Sequence, residues 1–261
     1  MLHGANNPLP GPGEGPDDPV RWLGTTRLLD LEDPKLRVRA QSLTQLCKNE
    51  REKALAVYGF VKRIPYAKPL KTRLHKAREV MDAARGDAPD KATLLVALLR
   101  LAGIPARLRY VELRGEILRG LATSFTSAAR ALVEAHLGGR WLRTDTYIFD
   151  ATYMAAARER LRAEGWEWGY AMHVAGQPLW DAAGDAYVGG FPTEEDPMVL
   201  QVLGVFDDPQ QLVDSAVWRE THPRLARALH WNVLAPSMDR TIRELRDSAR
   251  LPMAAGARKP S

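Results

Sequence analysis

The sequence predicts an α+β fold in which a central buried helix packs on an antiparallel β-sheet, with extra helices at the C-terminal end. Two stretches carry this prediction. Residues 86–107 contain an apolar run with residues typical of a helix start before it and of a helix end after it. Residues 131–148 read as two strands around Gly138-Gly139, a dipeptide typical of a two-residue hairpin turn.

The central helix has a clear start and a clear stop. Asp87 is a suitable N-cap, Pro89 suits the first turn, and Asp90 places a carboxylate where the helix dipole favours one. Gly103 follows the last apolar turn as a left-handed cap, and Pro105 prevents continuation. A helix that is apolar on every side belongs in the middle of a core. Its apolar residues are Ala92, Leu94, Leu95, Val96, Ala97, Leu98, Leu99, Leu101 and Ala102.

Three helices are predicted before the central one. The first opens at Asp33-Pro34, the second is capped by Asn49 and ends at Ile64, and the third covers Lys76–Ala84. The apolar members of the first helix are expected to be Leu36, Val38, Leu43 and Leu46.

After the central helix, residues 108–113 alternate as a strand, and the hairpin of residues 131–148 follows. Asp150 then caps a helix over Ala151–Ala163. Residues 165–191 are rich in Trp and Gly and predict irregular backbone with short strands, and residues 197–206 are apolar. The last predicted helices run from Pro209 toward Ala216, near Arg224–Val233, and over Ser237–Arg250.

Composition divides the chain into four parts. We expect a disordered N-terminal segment at residues 1–18, a core at 19–164, a C-terminal extension packed on the core at 165–250, and a flexible tail at 251–261. Apolar content of 45% and charged content of 26% are ordinary for a globular protein.

Composition also predicts a cytoplasmic protein that binds neither membrane nor nucleic acid. No apolar run approaches the roughly 18–20 residues needed to cross a bilayer, and the first residues do not resemble a secretory signal. The single cysteine, Cys47, excludes an internal disulfide and suits a reducing compartment. The net charge of +5 is spread along the chain, whereas a nucleic-acid site would cluster basic residues with aromatic ones.

Residues 86–107 resemble the nucleophile helix of the transglutaminase-like superfamily, which has a papain-like thiol fold. The family pattern is Gly-x-Cys-x-Asp-x-Ala-x-Leu, then Ala-Leu-x-Arg, then Gly-Ile-Pro-Ala-Arg. The residues that fall in register are Gly86, Asp90, Ala92, Leu94, Ala97, Leu98, Arg100 and the run 103–107. The position of the nucleophilic cysteine holds Ala88.

The predicted hairpin resembles the second motif of that family, His-Ala-Trp-Val-Glu, a turn, Gly-x-Trp and then Asp. The matching residues are Val133, Glu134, Gly139, Trp141 and Asp145, and the histidine position holds Arg130. A two-residue turn would place position 130 opposite Tyr147, with Asp145 as its diagonal neighbour on the same face. We therefore expect a salt bridge between Arg130 and Asp145.

The resemblance implies cysteine-dependent acyl transfer or amide hydrolysis as the parent chemistry, with Asp145 at the position of the orienting carboxylate. Ala88 offers no nucleophile, and Arg130 cannot give up a proton near neutral pH. We therefore expect a catalytically inactive, bacterial-type pseudoenzyme that binds a peptide, an amide ligand or a partner protein in the former active-site cleft.

Two other functions stay open. The chain could be a thiol-dependent protease or transglutaminase-type acyltransferase whose nucleophilic cysteine was replaced by Ala88, although Arg130 argues against an active parent. It could also be a protein-interaction module that uses the Trp-rich C-terminal region.

Individual residues likewise have alternative roles. Asp87 and Asp90 either cap the helix or form an acidic rim for a cationic ligand, and Asp145 could be only a hydrogen-bond acceptor at a strand end. Cys47 is expected to fill a small buried space, and His136 to lie on the surface near the turn. No cofactor and no metal site are predicted, because the other histidines lack cysteine or carboxylate neighbours at ligand spacing: His173, His222 and His230.

Overall fold

The computed structural model describes residues 18–221 and 224–250. The helices are α1 (Pro34–Thr44), α2 (Glu50–Arg63), α3 (Ala77–Ala83), α4 (Ala88–Leu101), α5 (Ala151–Glu164), α6 (Pro209–Asp214), α7 (Ala216–Thr221) and α8 (Arg224–Arg250). The strands are β1 (Ala106–Arg114), β2 (Ser127–Leu137), β3 (Arg140–Thr144), β4 (Trp168–Gly169), β5 (Met172–His173) and β6 (Val199–Phe206). The α+β prediction is confirmed. The predicted disordered segment, apart from Asp18, and the predicted tail at 251–261 lie outside the described residues.

Helix α1 begins where the sequence predicts, because the Asp33 carboxylate accepts hydrogen bonds from the backbone N–H groups of Lys35 and Leu36. Leu36 is buried, but Val38 is 66% exposed and Leu46 is 88% exposed. The expectation that both are core residues was wrong. Val38 lies two residues from Leu36 and therefore on the opposite side of the helix, and Leu46 follows the helix end.

Helix α4 has both predicted ends. Asp87 and Asp90 form a reciprocal capping box, in which each side chain accepts a hydrogen bond from the backbone N–H of the other. At the C-terminus Gly103 has a φ of +81°, and the Ile104 N–H donates to the Leu99 carbonyl at 2.9 Å. Every residue of α4 from Asp90 to Arg100 is buried.

The main sheet has four antiparallel strands in the order β3-β2-β1-β6. Leu137 pairs with Arg140 across Gly138-Gly139, as predicted, and both glycines have the positive φ that this tight turn requires. The strand predicted to continue to Ile148 ends at Thr144, so Tyr147 is not in the ladder opposite position 130. The chain turns there because the Thr144 hydroxyl accepts a hydrogen bond from the backbone N–H of Thr146.

The C-terminal part of the chain completes this architecture. Strand β6 pairs with β1 at the edge of the main sheet, so the proposed extension at 165–250, whose boundary stays a prediction, shares the sheet of the core. Helix α8 is continuous through Pro236, where we expected two helices. Its buried face continues beyond the proline, which offsets the one backbone hydrogen bond that proline cannot make; this face consists of Ala235, Met238, Ile242 and Leu245.

Candidate active site

Arg130 on β2 and Asp145 after β3 form a buried ion pair, with 3.2 Å between Nη1 and Oδ2. The other guanidinium nitrogen of Arg130 donates to the Ala171 carbonyl at 2.5 Å. The Val188 N–H donates to the second oxygen of Asp145 at 2.7 Å. Burial raises the pKa of Asp145, while Arg130 opposes the shift. The predicted salt bridge is therefore present, and further hydrogen bonds hold both of its ends.

Ala88 is the first residue of α4 and is half-buried. It contributes a methyl group at the helix N-terminus, where the sequence analysis places the nucleophile position. The backbone of Tyr66 pairs with Gly86 just before α4. Burial raises the pKa of the Tyr66 hydroxyl, Asp87 raises it further, and Arg130 lowers it. The charges at the start of α4 and on β2 therefore act on one phenol.

Two lysines that the sequence analysis did not identify neutralise the acidic start of α4. The Lys68 ammonium lies 2.6 Å from Asp87, and the Lys71 ammonium lies 2.5 Å from Asp87 and 2.7 Å from Asp90. The His75 Nδ1 is 3.2 Å from the Asp90 carboxylate. Both aspartates are buried. They cap the helix, and the protein's own lysines fill the place that the acidic-rim hypothesis gave to an external cation, so that hypothesis was wrong.

The cluster separates the pKa values of its two carboxyl groups. Burial alone would raise the pKa of Asp87, but Lys68 and Lys71 outweigh it and hold this pKa well below its usual range. Burial and the neighbouring Asp87 raise the pKa of Asp90 to about 6. The sequence did contain a signal for this cluster, because the basic run at residues 68–76 directly precedes the acidic start of α4.

A cavity of about 410 Å³ lies beside this cluster and is lined by Leu70, Lys71, Thr72, Arg73 and His75. The cations in its wall have partners: Lys71 contacts both aspartates, and Arg73 forms two hydrogen bonds with Glu79 at 2.9 and 2.5 Å. Leu70 is 65% exposed and provides an apolar surface. The wall therefore combines an apolar side chain, a hydroxyl group and paired charges.

Two further lysines are buried in the core and hold neighbouring segments together. The Lys91 ammonium on α4 donates to the carbonyls of Ile64 at 2.7 Å and Ile148 at 2.8 Å. The Lys62 ammonium on α2 donates to the Thr146 carbonyl at 2.6 Å. Burial lowers the pKa of both groups, that of Lys62 to about 8. These amines connect α2 and α4 to the segment that carries Asp145.

Other residues of the two motifs form one structural cluster. The buried Glu134 carboxylate contacts Arg107 and Arg109, both at 2.5 Å, and Arg143 at 3.2 Å. The Arg107 guanidinium also stacks over the Trp141 ring, 3.9 Å from its centre. Arg107, Glu134 and Trp141 therefore have a structural role, because their contacts join the end of the first motif, residues 86–107, to the hairpin of the second.

Helix α8 reaches the same region from the other side of the Tyr66–Lys68 segment. Arg246 forms an ion pair with Asp150 and donates to the Tyr66 carbonyl at 2.9 Å. The Asp239 carboxylate accepts a hydrogen bond from the Lys68 N–H at 3.0 Å. No local sequence signal predicts these contacts, which join residues nearly 100 or more positions apart.

The remaining candidates do not join the site. Cys47 follows the end of α1 and is half-buried rather than fully buried as expected. His136 packs against Trp141 near the turn. Among residues 18–221 and 224–250, no group of three or more His, Cys, Asp or Glu side chains could hold a metal ion. Within that same part of the chain, no helix has the length and apolar character to span a membrane.

One family model and two solved structures are similar to parts of this chain. Residues 37–146 match the model of the transglutaminase-like superfamily. A candidate cysteine protease from Cytophaga hutchinsonii is 23% identical, with 53% of this chain and 43% of that chain covered and a TM-score of 0.41. A candidate protease from Parabacteroides distasonis is 18% identical, with 48% and 24% covered and a TM-score of 0.34.

This chain therefore spans less than half the length of either of those solved proteins. A search of curated proteins gives no match. The family match covers both motifs, the start of α4 and the hairpin that carries Arg130 and Asp145. Residues 37–146 are therefore the part of this chain that is similar to the transglutaminase-like superfamily.

Proposed function

We propose that this protein is a non-catalytic transglutaminase-like protein that binds a peptide or a partner protein beside the N-terminus of α4. The observation that supports this most is the state of Arg130. It occupies the histidine position of the family pattern and is fixed in a buried ion pair with Asp145.

Thiol acyl transfer requires a nucleophile and a group that exchanges protons with it. Ala88 offers only a methyl group at the head of α4. A guanidinium is not a general base in proteins, and two nitrogens of Arg130 already donate to Asp145 and Ala171. A protonated group without a free lone pair cannot act as a general base.

The nearby amines are poor replacements for the missing thiol. Burial lowers the pKa of Lys68 to about 8, which would favour a nucleophilic neutral amine, but its ammonium lies 2.6 Å from Asp87. Lys71 bridges two carboxylates. An amine held in this way serves to neutralise buried charge rather than to attack a carbonyl carbon.

The cavity at residues 70–75 supports the binding part of the proposal. It lies next to the start of α4, and its wall offers both hydrogen-bonding groups and the exposed Leu70 side chain. Ligand sites usually combine apolar surface with a few polar groups in this way. A peptide that places an apolar side chain on Leu70 would use both kinds of contact.

Restoring the missing residues tests the catalytic part. In a Cys47→Ser background, Ala88→Cys should alkylate slowly with iodoacetamide and hydrolyse no amide, whereas Ala88→Cys with Arg130→His should alkylate faster. Rapid alkylation together with amide hydrolysis by Ala88→Cys alone would contradict the proposal. So would amide hydrolysis by the unaltered protein that is lost in Asp145→Asn.

The binding part is tested with peptides selected on the unaltered protein from a random display library. Leu70→Asp should weaken their binding, measured by fluorescence anisotropy. Leu179→Asp is a matched control, because Leu179 is 63% exposed, much like Leu70, and does not line the cavity. Equal loss of binding in the two variants, or no loss in either, would place the peptide elsewhere.

A further inference from the structure

We propose that the C-terminal half of α8 is a displaceable cover that closes the approach to the start of α4. The proposed binding site lies beside the start of α4, so the regulatory meaning of this inference rests on the proposed function. The covering itself is argued from contacts that do not depend on any ligand.

The Tyr66–Lys68 segment lies between α8 and the start of α4. On the α4 side, Tyr66 forms a parallel bridge with Gly86, and the Ala67 N–H donates to the Gly86 carbonyl at 3.1 Å. On the α8 side, Arg246 donates to the Tyr66 carbonyl. The backbone of this segment is thus held by hydrogen bonds from both sides, from backbone groups beside α4 and from the Arg246 side chain of α8.

Lys68 links the two helices directly. Its backbone N–H donates to Asp239 of α8, while its ammonium contacts Asp87 at the head of α4. Asp239 also raises the pKa of the Tyr66 hydroxyl, as Asp87 does. Helix α8 is therefore linked to the Asp87 carboxylate through a single residue, Lys68.

The contacts that hold α8 suggest that it can be released. Pro236 lacks the N–H that would bond to the preceding turn, which makes it a weak point at the start of the docked half. After Pro236, polar contacts hold the two ends of the C-terminal half of α8, at Asp239 and at Arg246. The Arg246 side chain keeps 13% exposure, so water can reach its guanidinium.

The same contacts define what could replace α8. Its docked face presents Met238, Ile242 and Leu245 as apolar contacts, with an acidic residue after the first and an arginine after the last. A competing ligand would be an amphipathic helix that repeats this spacing. Such a helix could give an acceptor to the Lys68 N–H and a cation to Asp150.

The test removes both polar contacts and measures access to position 88. The protein carries Cys47→Ser and Ala88→Cys, with or without Asp239→Ala and Arg246→Met, and labelling by a maleimide is followed by mass spectrometry. We expect labelling to accelerate about tenfold or more, since each lost bond to a charged group contributes on that order. Arg240→Gln is the control, because Arg240 is exposed on the same helix.

Hydrogen exchange distinguishes release of α8 from unfolding. The amides of Lys68 and of residues 237–248 should exchange faster in the double variant, while those of residues 92–99 in α4 stay protected. If residues 237–248 are released and labelling at position 88 is unchanged, α8 does not cover the site and the inference fails. It also fails if the variant leaves exchange in residues 237–248 unchanged. Neither readout uses a ligand or catalysis, so failure of the proposed function would leave both interpretable.

Discussion

Replacing Arg130 by methionine should destabilise the protein strongly. Methionine keeps much of the side-chain length but removes the partner of the Asp145 carboxylate and the donor to the Ala171 carbonyl. Asp145 is only 2% exposed, so water cannot take the place of the guanidinium. Removing one member of a buried ion pair costs about 3–5 kcal/mol. The Val188 N–H still donates to Asp145, which favours the lower end of that range.

The assay is urea unfolding at pH 7.5, followed by tryptophan fluorescence and circular dichroism, for Arg130→Met, Asp145→Asn and the double variant. The double variant should lose less stability than the two single losses added together, because it leaves no unpaired charge. Arg160→Met is the control; Arg160 is exposed and lies 4.0 Å from Glu164, so its loss should be under about 1 kcal/mol. A loss under about 1 kcal/mol in Arg130→Met would refute the structural role of the pair.

Two more predictions concern buried titratable groups. The pKa of Asp90 is about 6 in the folded protein, above its ordinary value of 3.8. Asp90 is therefore harder to ionise in the folded state, so the protein loses stability as pH rises from about 4 through 6. Asp90→Asn should therefore raise the Tm more at pH 7.5 than at pH 4.5 in calorimetry, and equal shifts would contradict this. The folded-state pKa of Lys62, about 8, lies below 10.5, so its burial costs about 3 kcal/mol below pH 8 and this cost disappears as pH rises toward 10.5. Lys62→Met should raise the Tm relative to the parent more at pH 7 than at pH 10, and the reverse order would show that the lost bond to Thr146 dominates.

The sequence predicted the elements whose signals are local. Helix caps at Asp33, Asn49, Asp87 and Asp150 lie within three residues of the N–H groups that they bind, so each is recognisable from a short window. The Gly138-Gly139 turn fixed the register of β2 and β3 in the same way. That register brought Arg130 and Asp145 to the same side of the hairpin, although the strand ends earlier than expected.

What the sequence did not show depends on contacts between distant parts of the chain. Strand β6 pairs with β1 about 90 residues away, and a short apolar run alone cannot distinguish such a strand from other buried structure. The continuity of α8 through Pro236 depends on its packing against α5, which local propensity does not record. The lysines at the start of α4 were missed because charge runs are usually exposed, whereas the Lys68 side chain is 2% exposed.

In the proposed function Arg130 stands at the family's histidine position, and this assignment and the presence of Asp145 are physically linked. The Asp145 carboxylate is buried and accepts a hydrogen bond from the Val188 N–H. Because a buried charge is costly without a partner, it needs a neighbouring cation whether or not the site performs chemistry. A histidine would meet that need only while protonated, whereas arginine meets it at every pH and adds a bond to Ala171. Arginine therefore preserves the structural function of the pair while removing its ability to accept a proton. With Ala88 at the proposed nucleophile position, the pair would keep only its part in supporting the fold, which is the physical basis of the proposed binding role.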